Sequence, residues 1–172
     1  MPQAIGVLLA IMLGAGGALQ VGLLGAMSRQ RGAIESTWVS ILGTVFALSL
    51  VLAIQAARGV ALTLPSPFTS WPTFGLLAMV SGILLGLAVA GLPIYFVVTG
   101  LLAAPYLIGA SYLVPRLGVG LFLGSIIAGQ LIGGLVIDHL GAFGTAARPI
   151  DLVKLGGVAA LLLGVVLIRG LR

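Results

Sequence analysis

Asp138 and His139, an acidic residue and the only histidine of the chain, stand next to each other in this 172-residue sequence. A carboxylate beside an imidazole could transfer protons, bind a metal ion or assist catalysis. Neighbouring side chains on a helix point about 100° apart, however, so these two groups would not act on each other directly. The pair is therefore interpreted mainly as the water-facing end of a helix, with gating or proton transfer as the alternative.

Other reactive groups are scarce. The chain has three acidic residues, one histidine and no cysteine. A histidine-rich metal site and a thiol site are therefore absent from the sequence pattern, and no catalytic triad is indicated. We predict no catalytic residue, no metal site and no cofactor, and hence a protein that is not an enzyme.

Two glutamines, Gln20 and Gln130, lie inside long apolar runs. An amide in hydrocarbon needs hydrogen-bond partners, because leaving it unpaired there is costly. The two side chains could bond each other or backbone carbonyls as structural contacts, or they could line a substrate path. If there is a path, Gln130 is its first candidate residue and Gln20 its second.

Charged residues at the ends of the apolar runs are candidates for a gate or for salt bridges. They are Arg116, Asp138 and His139. A carboxylate near the C-terminal end of a helix is mildly unfavourable because of the helix dipole. We therefore expect a specific basic partner for Asp138, such as Arg116, Arg148 or Lys154.

The composition indicates whether these residues lie in a soluble protein or in a membrane protein. The chain is 60% hydrophobic and only 6% charged, with a mean hydropathy of +1.31, whereas soluble domains carry about 25% charged residues. It is therefore predicted to be a multi-pass integral membrane protein, with the lipid bilayer as its surroundings. The net charge of +5 does not indicate nucleic-acid binding, because the basic residues are spread over the loops without forming a patch.

The fold class predicted from these runs is all-α, a bundle of about six transmembrane helices in a single domain. A segment of about 20 apolar residues is enough to cross a bilayer. The predicted spans are 4–27, 36–57, 74–90, 93–114, 119–140 and 152–168. Five spans are the alternative, if residues 75–90 do not cross.

Short polar segments predict where the helices end. Ser28–Gly32 is predicted to be a basic loop and Pro115–Gly118 a tight turn. Ser36 is a plausible cap for the second span. Gly141 is the predicted stop of the fifth span, and the sixth is predicted to start at Asp151 or just after it.

Small residues recur at every fourth position in four of the spans. This spacing lets helix backbones approach closely, which is the main packing force between helices in lipid. The pattern predicts tight packing, with a partner helix either in this chain or in another. The residues are Ala10, Gly14, Ala18, Gly22 and Ala26; Ala78, Gly82, Gly86 and Ala90; Gly120, Gly124 and Ala128 beside Ser125, Gly129 and Gly133; and Gly156, Ala160 and Gly164.

The basic residues do not indicate an orientation in the membrane. With six spans, four of them fall on each side, so the excess of positive charge that normally marks the cytoplasmic side is missing. One hypothesis is insertion in both orientations with antiparallel pairing. The alternative is that a partner chain or one dominant helix sets the direction. The two groups are Arg29, Arg31, Arg148 and Lys154 on one side, and Arg58, Arg116, Arg169 and Arg172 on the other.

Several stretches resemble the YdcZ-like family (DUF606) of the drug/metabolite transporter (DMT) superfamily. The most specific are VPRLGVG (Val114–Gly120), AGQLIGGLVIDHLGAFG (Ala128–Gly144) and RPIDLVKLGGVAALLLGVVLI (Arg148–Ile168). GGALQ (Gly16–Gln20) and STWVSILGT (Ser36–Thr44) resemble its first two helices. Typical members of that family look like five-helix half-transporters.

The resemblance implies a DMT-like half-transporter that pairs with itself or with a related subunit. We therefore predict an inner-membrane subunit that transports a small molecule, a metabolite or a drug, by alternating access. The related small multidrug exporters use a glutamate in their first helix, and span 1 here has no acidic residue. The alternative function is a membrane scaffold or regulatory subunit that transports nothing.

Overall fold

The computed structural model describes residues 2–170, which contain helices and no strand. All six main helices are long and apolar enough to cross a membrane, when the 3₁₀ turn at Ile94–Val97 is joined to the helix that follows it. The six-span all-α prediction is therefore confirmed. Arg172, one of the charges counted above, lies outside the described residues. The helices are α1 (Gln3–Arg31), α2 (Ala33–Ala57), α3 (Trp71–Ala88), α4 (Val98–Leu117), α5 (Val119–Leu140) and α6 (Leu152–Arg169).

The connection between α1 and α2 is shorter than predicted. The prediction of a basic loop at Ser28–Gly32 is wrong, because α1 continues to Arg31 and only Gly32 separates it from α2. Gly32 has a φ of 89°, a conformation that glycine adopts readily. Ser36 is not the cap either, since its hydroxyl lies inside α2 and donates to the Gly32 carbonyl at 2.7 Å. The predicted loop is rich in arginine and glutamine, which are good helix formers.

The connection between α4 and α5 is built in the same way. The predicted turn at Pro115–Gly118 is wrong in extent, because Pro115 lies within α4, which runs on to Leu117. Gly118, at a φ of 80°, makes the joint alone. Membrane helices tolerate proline where neighbouring groups take over the freed carbonyl, so Pro115 does not end the helix.

The predicted ends of α5 and α6 are confirmed. α5 ends at Gly141, which has the left-handed conformation with φ 60° and ψ 33°. Asp151 is the N-cap of α6, and its Oδ1 accepts a hydrogen bond from the Lys154 backbone N–H at 2.8 Å. A side-chain acceptor here satisfies one of the backbone donors that the first helical turn leaves unpaired.

Replacing Asp151 with alanine is expected to destabilise α6 by about 1 kcal/mol, because the cap is lost. Thermal unfolding of the purified protein would measure the effect. Asp151→Asn is the matched control, because asparagine caps a helix about as well as aspartate. Equal losses in both variants would show that the carboxylate charge matters, rather than the cap.

The chain divides into two compact units. The first unit comprises the chain up to Ala26 and from Pro105 onward, and the second comprises Met27–Ala104. The core of the first unit is formed by Ala10 of α1, Leu113 of α4, and Phe122 and Ile126 of α5. In the second unit α2 packs along α3.

In the first unit, α1 and α5 touch through their backbones. A Cβ added to Gly129 would collide with the Ile11 carbonyl oxygen and would lie 3.0 Å from the Ala15 nitrogen. A Cβ added to Gly14 would collide with the Ile126 carbonyl oxygen and lie 3.0 Å from the Gly129 Cα. The small-residue stripes predicted for these two spans therefore form a helix crossing within the chain.

The second unit contains a comparable crossing between α2 and α4. A Cβ on Gly100 would lie 2.5 Å from the Gly43 Cα, and one on Gly43 would lie 2.9 Å from the Gly100 Cα. The Thr44 hydroxyl donates to the Gly100 carbonyl at 3.2 Å and to the Ser40 carbonyl at 2.9 Å. This crossing was not among the predicted stripes, because each helix contributes a single glycine.

Candidate functional site

A mostly apolar cleft of about 280 Å³ lies in the first unit between α1 and α5, and we call it the α1–α5 cleft. Its only side chains with polar groups are those of Gln130 and Asp138. The cleft is lined by Ala18, Val21 and Gly22 of α1 and by Gln130, Gly134, Ile137 and Asp138 of α5.

The spacing of the α5 residues explains how one helix supplies both polar groups. Gln130, Gly134 and Asp138 are four residues apart, which places them along one face of a helix. Eight residues correspond to about 12 Å along the axis, so the amide and the carboxylate lie at different depths. A Cβ on Gly134 would meet no atom within 4 Å, so this glycine leaves the space between the two polar groups open.

Gln130 lies near the middle of α5 and borders α1. A Cβ added to Gly17 of α1 would come within 3.1 Å of the Gln130 Nε2. Within residues 2–170, neither Gln130 nor Gln20 has a side-chain hydrogen bond. The two amides are therefore not hydrogen-bonded to each other, as they would be if they served as a structural contact. An unpaired amide near mid-membrane is costly unless a ligand or another chain supplies its partner.

Asp138 has no basic partner in the described part of the chain, where the one ion pair joins Lys154 to Asp151, with Nζ and Oδ2 3.8 Å apart. The predicted pairing of Asp138 with Arg116, Arg148 or Lys154 is therefore wrong for this structure. Arg116 lies just before α5 and Asp138 near its end, which separates them by about 30 Å along the axis.

His139 makes a hydrogen bond to the segment that follows α5 and does not line the cleft. Its Nδ1 accepts a hydrogen bond from the Ile150 backbone N–H at 3.3 Å. The Arg148 backbone N–H donates to the Asp138 carbonyl oxygen at 2.8 Å. Together these bonds fold the segment back onto the last turn of α5.

Phe143 was missed by the sequence analysis. It lies in the short 3₁₀ turn Ala142–Gly144, with a φ of 59° that is unusual for a residue with a side chain. A Cβ on Gly22 would lie 3.1 Å from the Phe143 ring, so the ring covers the α1 wall at this end of the cleft. Apolar residues in loops carry little periodic signal, which is why no pattern pointed to it.

The other predicted site residues lie elsewhere. Gln20 is not among the residues that line the cleft, because it points about 160° away from Ala18 and about 100° away from Val21. The Arg116 guanidinium lies 3.6 Å from the centroid of the Tyr112 ring, and its Nη1 donates to the Tyr112 carbonyl oxygen. Within residues 2–170, no three acidic or histidine side chains are grouped closely enough to hold a metal ion.

The comparison with known families decides what kind of protein carries this cleft. Residues 5–167 match the family described as "Putative inner membrane exporter, YdcZ". The chain belongs to the YdcZ family. No curated protein matches it. No solved structure matches it either.

Membership in the YdcZ family agrees with the six apolar helices, and together they make this chain a multi-pass inner-membrane protein. The family is one of membrane exporters, so the protein is a membrane transporter in the general sense. The match includes both glutamines and all of α5, and therefore the whole α1–α5 cleft. The roles of Gln130, Gln20, Arg116, Asp138 and His139 stay predictions.

Proposed function

We propose that this YdcZ-family chain is one subunit of an exporter that moves a small molecule across the inner membrane by alternating access. The α1–α5 cleft is the substrate-binding part of its path. The observation that carries the proposal is the unpaired Gln130 amide, which faces an apolar cleft near the middle of α5. Such an amide is satisfied when a polar substrate binds to it. The proposal includes no catalytic step.

The close glycine crossings support a path whose shape changes. The α1–α5 contact is made by backbone atoms at Gly14 and Gly129 rather than by interlocking long side chains. A smooth surface of this kind lets one helix shift against another at small cost, as alternating access requires.

Pairing with a second copy or with a related subunit is the second element of the proposal. It is supported by α6, whose single buried residue is Val165. A Cβ added to Gly156 or Gly164 of this helix would meet no atom within 4 Å. A stripe of small residues favours contact with another helix in lipid, so α6 offers a surface on which a second subunit can pack.

Replacing Gln130 with alanine is expected to lower efflux per molecule about tenfold, because one hydrogen bond to a polar substrate is worth about 1.4 kcal/mol. The substrate would first be found by comparing metabolites retained in cells that lack or overproduce the protein. Efflux and the amount of folded protein would then be measured on the same cells.

Two matched variants sharpen this test. Gln55→Ala removes an amide that belongs to the second unit and does not line the cleft, and it is expected to leave efflux unchanged. Gln20→Ala tests the second predicted path residue, and a small effect is expected because Gln20 does not line the cleft. If Gln130→Ala lowers folded protein and efflux in parallel, Gln130 is a structural contact and the proposed path is wrong. If no molecule depends on the protein for export, the scaffold alternative is favoured.

A further inference from the structure

The Asp138 carboxylate introduces a negative charge into a cleft whose other lining groups are neutral. We propose that Asp138 makes the α1–α5 cleft selective for small organic cations, such as quaternary ammonium ions or protonated amines. This inference rests on the proposed function, because it assigns a substrate class to the same cleft.

The first support is the absence of a counter-ion. Asp138 has no ion-pair partner in residues 2–170, and Lys154 is engaged by Asp151 instead. Arg148 approaches Asp138 through its backbone N–H, which donates to the backbone carbonyl and not to the carboxylate. A carboxylate without an ion-pair partner in its own chain keeps its negative charge available to attract a bound cation.

The neighbouring histidine does not supply that charge. Its Nδ1 accepts a hydrogen bond from the Ile150 N–H, which holds the ring toward the segment after α5. His139 is not among the residues that line the cleft.

The wall of the cleft indicates an organic cation rather than a metal ion. Ca²⁺ needs six to eight oxygen ligands and Mg²⁺ needs about six, including water. Here the cleft supplies one carboxylate and one amide, about 12 Å apart along α5. Between them lie Ala18, Val21, Gly22, Gly134 and Ile137, an apolar surface for a hydrocarbon body. A volume of about 280 Å³ limits the ligand to a small molecule.

Ligand binding to the purified protein tests the proposal. The protein in an uncharged maltoside detergent would be titrated with tetramethylammonium, choline and benzyltrimethylammonium. The neutral comparison is 3,3-dimethylbutan-1-ol, which has the shape of choline without its charge. A ligand that binds the folded state raises the temperature of unfolding. We expect this rise with at least one of the cations and none with the neutral alcohol.

Substitutions then assign the binding to Asp138. Asp138→Asn should need at least about tenfold more cation for the same rise, because a charge-assisted contact is lost. Asp138→Glu keeps the charge and should retain most of the rise, which separates loss of charge from loss of fold. Glu35→Gln makes the same change of net charge in the second unit and should leave the titration unchanged.

Two outcomes would overturn the inference: no rise with any of the three cations, or equal titrations for the original protein and Asp138→Asn. Either result concerns binding alone and leaves the efflux test of Gln130 intact. Conversely, a normal cation titration together with unchanged efflux in Gln130→Ala would reject the proposed path while keeping the cation site.

Discussion

Replacing Gly129 with alanine is expected to cost about 3 kcal/mol or more of folding free energy, the largest effect predicted here for a single methyl group. The added Cβ would collide with the Ile11 carbonyl oxygen, and it would also lie 2.8 Å from the Ile11 carbonyl carbon and 3.0 Å from the Ala15 nitrogen. All of these are backbone atoms, so no rotation of a side chain can relieve the contact. The helices would have to separate, which loosens the first unit along its α1–α5 crossing.

The measurement is the yield and thermal stability of purified protein, by size-exclusion chromatography and a heating series. Gly120→Ala, on the same helix, is the matched control, because a Cβ there would meet no atom within 4 Å. Gly16→Ala is the corresponding control on α1, for the same reason. Both should be neutral or slightly stabilising, because alanine is a better helix former than glycine. A Gly129→Ala protein as stable as Gly120→Ala would contradict the crossing.

The second large effect is expected for Gly100→Ala, at about 2 to 3 kcal/mol, in the second unit. The new Cβ would lie 2.5 Å from the Gly43 Cα and 2.8 Å from the Gly43 carbonyl carbon. Moving α4 away from α2 to make room would also lengthen the bond from the Thr44 hydroxyl to the Gly100 carbonyl, which is 3.2 Å long. The same heating series would measure the loss.

Two further variants separate crowding from hydrogen bonding. Thr44→Val removes the hydroxyl but keeps the shape, and is expected to cost about 0.6 kcal/mol, typical of a hydrogen bond between membrane helices. Gly86→Ala in α3 adds a methyl group where nothing lies within 4 Å and should cost little. If Thr44→Val proves as damaging as Gly100→Ala, the hydrogen bond and not the close approach holds α2 and α4 together.

The sequence indicated the two polar residues of the α1–α5 cleft, but not the full set of residues that surround it. Gln130 was singled out as a polar group inside an apolar run and Asp138 as one of only three acidic residues, and both line the cleft. Gln20 was chosen on the same ground as Gln130 and does not line it. Phe143, which covers Gly22, was not chosen. The rarity of a residue type shows that its side chain needs a partner, but it does not show which neighbour faces it.

The helix ends also differ in how well the sequence predicts them. Gly141 and Asp151 were predicted correctly, because a left-handed residue after a helix and a side-chain acceptor before one depend on local chemistry alone. Ser36 was predicted wrongly as a cap. The helix begins earlier, at Ala33, because Gly32 can adopt a φ of 89° and so makes the whole joint within one residue.

By itself, the sequence determined that this chain is an all-helical membrane protein, with six spans predicted and five as the alternative, and which of its helices carry small-residue faces. The reason is that lipid offers no hydrogen bonds, so every apolar run must close its backbone bonds within a helix. Only the tertiary structure decided that Gln130 and Asp138 share a cleft, that Asp138 lacks a basic partner, and that Gln20 lies elsewhere. Those facts depend on how each helix is rotated about its axis and which helix it meets, and these are set by packing between segments far apart in the chain.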